Sequence, residues 1–468
     1  MNKRLSHLER TLFLILLFYQ MANASSLTPK QARYYEPVEI PAEVFASALG
    51  FPLKNLAIYS WENNNWEPIL FQVDERTNDG NFIFTNGVQA NPELANGRLD
   101  SQDLLVFMAR EAGEKAPQGE LPAGAYKVIP IELIDPVRSE SWWAYLALFP
   151  GPAPQTELKP ISQLISKPNL FRFQFPTYEY DCLINYAGKK FTPTILINRL
   201  RILSEAGGNG KNIIDRQKIR GKITFLGGLI KIPINEKIAQ GGIVAYKPGP
   251  VRILTHSVMY PVFPLGIKGP KFYIDTILVD TLTLTYITMR VPFDPGFFIH
   301  DMTLSFGMDL SPEAKGMRYY NSVNQQGFLI DGKMDEAEKN FDPTKDKWRL
   351  ITGLQGTQII STYFDPKFLR NGKAFSIYND DENTAHPPEN FAGDIGSAFD
   401  TLVIKSLKPG TYYIRVFGCV PYNFYNPQGL NYQMVQSLLS LQSSPLIIKV
   451  NGQKITNQGA LARPLFYP

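Results

Sequence analysis

In the segment PGPVRILTHSVMYP, an extended backbone would place Arg252, Leu254, His256, Val258 and Tyr260 on one side, because side chains alternate along a strand. Arginine can neutralise a carboxylate while histidine or tyrosine removes and returns a proton, the chemistry of β-elimination in polysaccharide lyases. The four-residue step from Arg252 to His256 spans about 13 Å on a strand, and a proton-transfer centre needs contacts near ~3 Å. Neighbouring strands would have to complete such a centre; the plainer reading is a half-exposed strand face with a solvated histidine. A second set lies in IYNDDENTAHPPENFAGD, where Asp380, Asp381, Glu382, His386, Glu389 and Asp394 gather carboxylates around one imidazole. Such groups can hold a hard cation or act as acid and base. The Asn, Gly and Pro content marks a long polar loop, and long loops in compact domains are often functional. This is the leading place for a binding site, set against an ordinary solvated loop.

A third stretch, NGRLDSQDLLVFMAR, carries Asn96, Asp100 and Asp103 around Gly97. The pattern N-G-x-L-D-x-x-D-L-L resembles the second half of a dockerin or EF-hand calcium loop, over residues 96–103. That resemblance implies Ca2+ as cofactor; without it no cofactor is expected. Pro92 and Leu94 stand where the family has its first oxygen ligands, and calcium takes six to eight oxygens. Asp79 or Asp74, from the upstream FQVDERTNDGNF, would have to complete the set. The competing reading makes Asp79-Gly80 and Asn96-Gly97 tight turns, with Asp100 and Asp103 accepting backbone N–H groups. The six apolar residues Leu104 to Ala109 fit a buried strand by length, whereas a calcium loop feeds a helix, so the turn reading is preferred.

Export comes before folding in this chain. Lys3, Arg4 and Arg10 precede the apolar run TLFLILLFYQM, and Ala22-Asn23-Ala24 supplies small residues for cleavage, the three-part pattern of a secretory signal peptide. Residues 1–24 are therefore expected to be removed near Ala24/Ser25, giving a secreted or periplasmic protein. No later run approaches the roughly 20 apolar residues of a membrane-spanning helix. The whole chain carries a net charge of +4, and losing Lys3, Arg4, Arg10 and Glu9 makes it still nearer neutral. That surface offers no electrostatic footprint for nucleic acid.

Charged residues are 19% of the chain and aromatics 12%, with 35 Gly and 36 Pro spread throughout. This balance predicts an all-β fold with minor helix, built as antiparallel sandwich domains or one large sandwich shared between regions. In DTLTLTY, Thr281, Thr283 and Thr285 alternate with Leu282, Leu284 and Tyr286. YQMVQSLLSLQ reads as a helix, and DEAEKN as a short one limited by Pro343. The Pro-rich GPAPQTELKP at 151–160 suggests a first boundary. The expected regions are 25–155, 161–310 and 311–468. Cys182 and Cys419 are either a disulfide or two buried thiols.

Several chemistries are excluded by absent motifs: there is no HExxH, CxxC, P-loop or G-x-S-x-G. The FQVDE and LVFMA segments resemble those of secreted β-rich bacterial proteins of unknown function, a resemblance that implies a fold and no activity. The expected function is binding of a carbohydrate or cell-envelope component without catalysis, motivated by Trp61, Trp66, Trp142, Trp143 and the many tyrosines as stacking platforms. The alternatives are a polysaccharide lyase or other carbohydrate-active enzyme, and an assembly module that pairs through a sheet edge.

Overall fold

Leu104–Met108 shows how the sequence pattern becomes a layer. All five residues are buried, and they divide between two cores: Leu104, Val106 and Met108 face one, Leu105 and Phe107 the other. A strand buried on both faces has no polar alternation to show, hence the unbroken apolar run. It is the middle strand of a three-stranded sheet, between Pro37–Pro41 and Phe71–Asp74. In the computed structural model the described residues are 33–155, 157–167, 170–185, 194–225, 228–235, 238–291, 299–382, 395–405 and 407–465. The expected signal peptide lies outside them.

Five sheets, paired antiparallel throughout, make up the described residues, confirming an all-β fold with minor helix. On one side of the three-stranded sheet lies a six-stranded sheet in which Ile447–Val450 from the end of the chain pairs with Lys127–Ile134. On the other side lies a nine-stranded sheet that takes strands from Ala239–Pro248 through Gly410–Cys419. The sheets thus draw on distant segments and cross the boundary expected at 310/311. Strand pairing needs only complementary edges, and these are supplied by partners hundreds of residues apart.

The nine-stranded sheet organises everything else. Within Leu282–Val291, Leu282 and Leu284 enter one core with Leu254, Ile277, Phe417 and the helix Tyr432–Ser443. Thr283 and Thr285 lie on the opposite side, where Thr285 Oγ1 is 3.3 Å from Thr276 Oγ1. The helix buries Met434, Val435, Leu438 and Leu441, one apolar stripe, and Asn431 caps it by accepting from the Met434 N–H at 3.1 Å. The back of the sheet packs on a four-stranded sheet (residues 163–202) and a five-stranded sheet (residues 214–404) through two further apolar clusters. Cys182 and Cys419 are free and buried, in different clusters.

A buried set of charges ties the N-terminal layer to this sheet. Arg252 is fully buried at the start of Arg252–Pro261. Its Nη2 is 2.6 Å from an Asp74 oxygen, and its Nη1 donates to Glu39. Lys247 reaches Asp74 at 3.1 Å and Arg463 reaches Glu39 at 2.7 Å. Gln72 Oε1 accepts the backbone N–H groups of Val251 and Arg252 at 3.0 and 2.9 Å. Burial alone would raise the Asp74 carboxyl, but Arg252 and Lys247 outweigh it and hold Asp74 at about 2. Its folded value lies below the unfolded 3.8, so this contribution to stability is present above 3.8 and lost as pH falls through about 2. Replacing Arg252 by alanine strands two buried carboxylates and is expected to cost about 3–5 kcal/mol in urea unfolding at pH 7. A loss below about 1 kcal/mol would show that the network does not hold the layers together.

Candidate functional site

His256 follows Arg252 on the same side of its strand, but the two do not form one centre. Arg252 is committed to Glu39 and Asp74. His256 Nδ1 lies 2.6 Å from Asp275 Oδ1, directly across the strand pair, and both residues are buried, 2% and 1% exposed. The other Asp275 oxygen accepts the Leu465 backbone N–H at 3.1 Å. Tyr260 is half-buried with the Lys268 ammonium 5.3 Å from its ring centre. The three residues share a face of the strand, as the pattern indicated, but each is engaged by different partners and they form no common centre.

The calcium-like segment resolves into backbone capping. Asp103 Oδ1 accepts the Arg76 N–H at 2.9 Å and Oδ2 accepts the Asp100 N–H at 2.8 Å. Asn96 Oδ1 accepts the Arg98 N–H, and its amide donates to Asp100 at 2.7 Å. Glu75, which the sequence did not single out as a ligand, accepts the N–H groups of Asn96 and Gly97 at 2.9 and 2.8 Å. Gly80 and Gly97 both have left-handed φ, 81° and 68°, as turn glycines do. Asp79 is exposed beside Gly80. The turn runs directly into the strand Leu104–Met108 and not into a helix, as the length of the apolar run indicated. Burial pushes the Asp103 carboxyl up to about 6.

Of the acidic loop, His386, Glu389 and Asp394 lie outside the described residues. Asp380 is fully buried and accepts the N–H groups of Asp331 and Gly332 at 2.9 and 2.8 Å. Glu382 is half-buried, its N–H donating to Gly332 and its carboxylate 3.5 Å from Lys315; Asp381 is half-buried between them. The Asp380 carboxylate and the Glu382 backbone N–H organise the neighbouring turn at 331–332. Glu338, absent from the sequence candidates, joins them electrostatically: it closes a capping box with Asp335 at the start of Glu336–Asn340. Burial pushes Glu338 up to about 7 and Asp380 up to about 6, each further raised by neighbouring acids.

Of the tryptophans expected as stacking platforms, Trp61 is buried, while Trp66, Trp142 and Trp143 are half-buried. Trp61 and Trp66 meet edge to face at 5.1 Å, with Tyr145 against Trp66 at 5.0 Å. Trp142 packs on the N-terminal core, and Trp143 lines a surface cleft of about 480 Å³ with Glu62, Glu114 and Lys115.

The sheet register brings together a set that the chain keeps scattered. Continuing across from His256, the same row of the nine-stranded sheet runs His256, Asp275, Tyr286, Arg415, Tyr363. One step along, Val258 faces Tyr273 and Thr288 faces Tyr413. Five adjacent strands thus each place one tyrosine (260, 273, 286, 413, 363) on one face, beyond the part covered by the helix and the N-terminal layer. Tyr286 and Tyr413 are near-parallel with ring centres 5.5 Å apart, and Tyr413 and Tyr363 are 6.1 Å apart. Arg415 lies over the Tyr363 ring, 4.3 Å from its centre. Tyr363 is 40% exposed and the other four are half-buried. Burial, with a hydrogen bond that the Tyr413 hydroxyl donates to Tyr363, raises the Tyr413 phenol. The face can offer ring carbons, hydroxyls that donate or accept, and one guanidinium. A signal existed in the alternating FYIDT, LTYIT, STYF and TYYIRV segments, but each tyrosine alone looks like core.

No family model and no curated protein matches the chain. Among solved structures it is similar to heparan sulfate lyase HepC from Pedobacter heparinus, at 9% identity and TM-score 0.32 over 68% of this chain and 44% of that one. A heparinase III structure gives 11% identity and TM-score 0.31 over 66% and 44%. A putative aldose 1-epimerase from Escherichia coli K12 gives 8% and 0.30 over 54% and 99%. The chain spans 44% of the length of each of the first two. Superpositions this loose do not bear on activity.

Two measurements test these assignments. Asp103→Ala removes the side-chain acceptors of two backbone N–H groups and is expected to cost about 1–2 kcal/mol, equally with and without excess calcium. A cost that appears only with calcium present would restore the metal reading. Glu338 holds its proton longer in the folded state than at its unfolded 4.5, so its contribution is present below 4.5 and lost as pH rises through about 7. The melting temperature of Glu338→Gln should therefore fall less than that of the parent between pH 5 and pH 8; parallel curves would refute the buried acid.

Proposed function

We propose that this protein is an exported carbohydrate-binding protein and that the tyrosine face of its nine-stranded sheet is the binding surface. The observation carrying this reading is the placement of Tyr273, Tyr286, Tyr413 and Tyr363 on four neighbouring strands of one partly open face. Pyranose rings present apolar C–H patches beside hydroxyl edges, and phenol rings match both, with carbon surface and a hydroxyl that donates and accepts. Strands make a firmer platform than loops, so little order has to be gained on binding. The export segment expected at residues 1–24 would place such a face where glycans and envelope polymers are met.

Binding fits the geometry better than catalysis. The proton-transfer pair that an enzyme would use, His256 with Asp275, is on the same face but 2% and 1% exposed, with the Leu465 backbone bonded to the aspartate. An imidazole this buried cannot be touched by a reacting sugar without displacing part of the structure around it.

A glycan array and then calorimetry test the reading. The protein should retain one class of oligosaccharide, and Tyr413→Ala should weaken that complex about tenfold, the equivalent of one stacked aromatic contact. The variant should melt as the parent does, because Tyr413 is half-buried. Retention of no glycan, or an unchanged affinity in Tyr413→Ala, would remove the proposal.

A further inference from the structure

Arg415 differs from several other arginines that are buried or half-buried in the fold. Arg252 pairs with Glu39 and Asp74, Arg349 with Asp400 at 2.7 Å, Arg110 with Asp280 at 2.8 Å and Arg172 with Asp181 at 2.6 Å. Arg415, half-buried in the middle of the tyrosine face, has no carboxylate within ion-pair distance among the described residues. Its Nε is shielded from solvent and lacks a hydrogen-bond partner. The guanidinium carbon lies 4.3 Å from the centre of the Tyr363 ring and 5.9 Å from that of Tyr413. The nearest acid on its row, Asp275, is engaged by His256 and the Leu465 N–H. Arg290 adds exposed positive charge on the same side of the adjoining strand.

A guanidinium is planar and charged by its own delocalisation, and the quadrupole of an aromatic ring beside it attracts that charge. A planar fork with its own carboxylate missing is matched by a planar carboxylate arriving with the ligand, through two parallel charge-assisted hydrogen bonds. We infer that the ligand is an acidic glycan built of uronate residues, and that Arg415 receives the uronate carboxylate while the flanking tyrosines meet the sugar ring. This rests on the reading of the face as a carbohydrate surface and adds the chemical class. Specificity would come from the same geometry: a neutral sugar leaves the half-desolvated cation without its anion, so the acid is selected by what its absence costs.

The test compares oligouronates (galacturonate, mannuronate and glucuronate oligomers) with the same oligomers after chemical reduction of the carboxylates to alcohols, by calorimetry on the full mature chain. The parent should bind at least one uronate oligomer about tenfold or more tighter than its reduced form. Arg415→Gln should bind both forms equally, at the weaker level. Arg415→Lys, which keeps the charge but loses the fork and the ring contact, should recover only part of the preference. Thermal melts of both variants establish that they are folded; were Arg415→Gln unfolded, the parent's acid-to-alcohol ratio and the lysine variant would decide. Equal affinity of the parent for acid and alcohol would overturn the uronate assignment while leaving carbohydrate recognition standing. Binding of sulfated neutral oligomers in place of uronates would overturn the assignment too. Failure to bind any oligomer, acidic or reduced, would overturn both.

Discussion

A buried guanidinium cannot be left without anions, and that requirement at Arg252 sets the arrangement of the molecule. Glu39 and Asp74 come from two strands of the N-terminal sheet, and Arg463 and Lys247 close the set from the chain terminus and the sheet edge. Taking these charges out of water is costly, and their mutual attraction offsets the cost only when all partners are in place. An apolar contact tolerates sliding; this one does not. The network therefore contributes registry between the N-terminal layer and the nine-stranded sheet more than net stability.

That registry decides which part of the sheet face is core and which part is surface. Along Arg252–Pro261 and its neighbours, Leu254, Ile277, Leu284 and Phe417 disappear under the helix and the N-terminal layer. One side-chain step further the residues change to His256, Asp275, Tyr286 and Arg415. Polar and aromatic groups begin where the cover ends. The His256–Asp275 pair stands at the border, satisfied and enclosed, and the tyrosines and Arg415 lie beyond it. Burial separates the two kinds of site: a histidine that could move protons is sealed, and a cation that could hold an anion is half open.

The carboxylates most conspicuous in the primary structure have a humbler task. Asp380 accepts two backbone N–H groups of the turn at 331–332, and Asp103 accepts one N–H from each of two turns, at Arg76 and Asp100. Dense acid, glycine and asparagine is what tight turns need, and it is also what metal loops need, so composition does not separate the two. The strand after Asp103 was the distinguishing sign, and it was legible from the length of the apolar run. Glu75, which shares these duties, carries no local pattern that marks it, whereas Glu338 stands three residues after Asp335, the spacing of a capping box.

Much of the architecture was readable from the chain alone. Alternation in Leu282–Val291, the stripe of Met434, Val435, Leu438 and Leu441, and the turn glycines arise from local sterics and solvent preference, and such effects act within a few residues. The class of fold and the common face of Arg252, His256 and Tyr260 were thereby determined. Which strands lie side by side was not, because a hydrogen-bonded edge accepts any compatible partner: Lys127–Ile134 meets Ile447–Val450 across more than half the chain. Only that long-range pairing brings Tyr273, Tyr286, Tyr413, Tyr363 and Arg415 onto one surface, and only the docking of a distant layer decides that they lie beyond its edge, half-buried or exposed. Periodicity tells a side chain which way to point; the tertiary structure alone supplies what it points at.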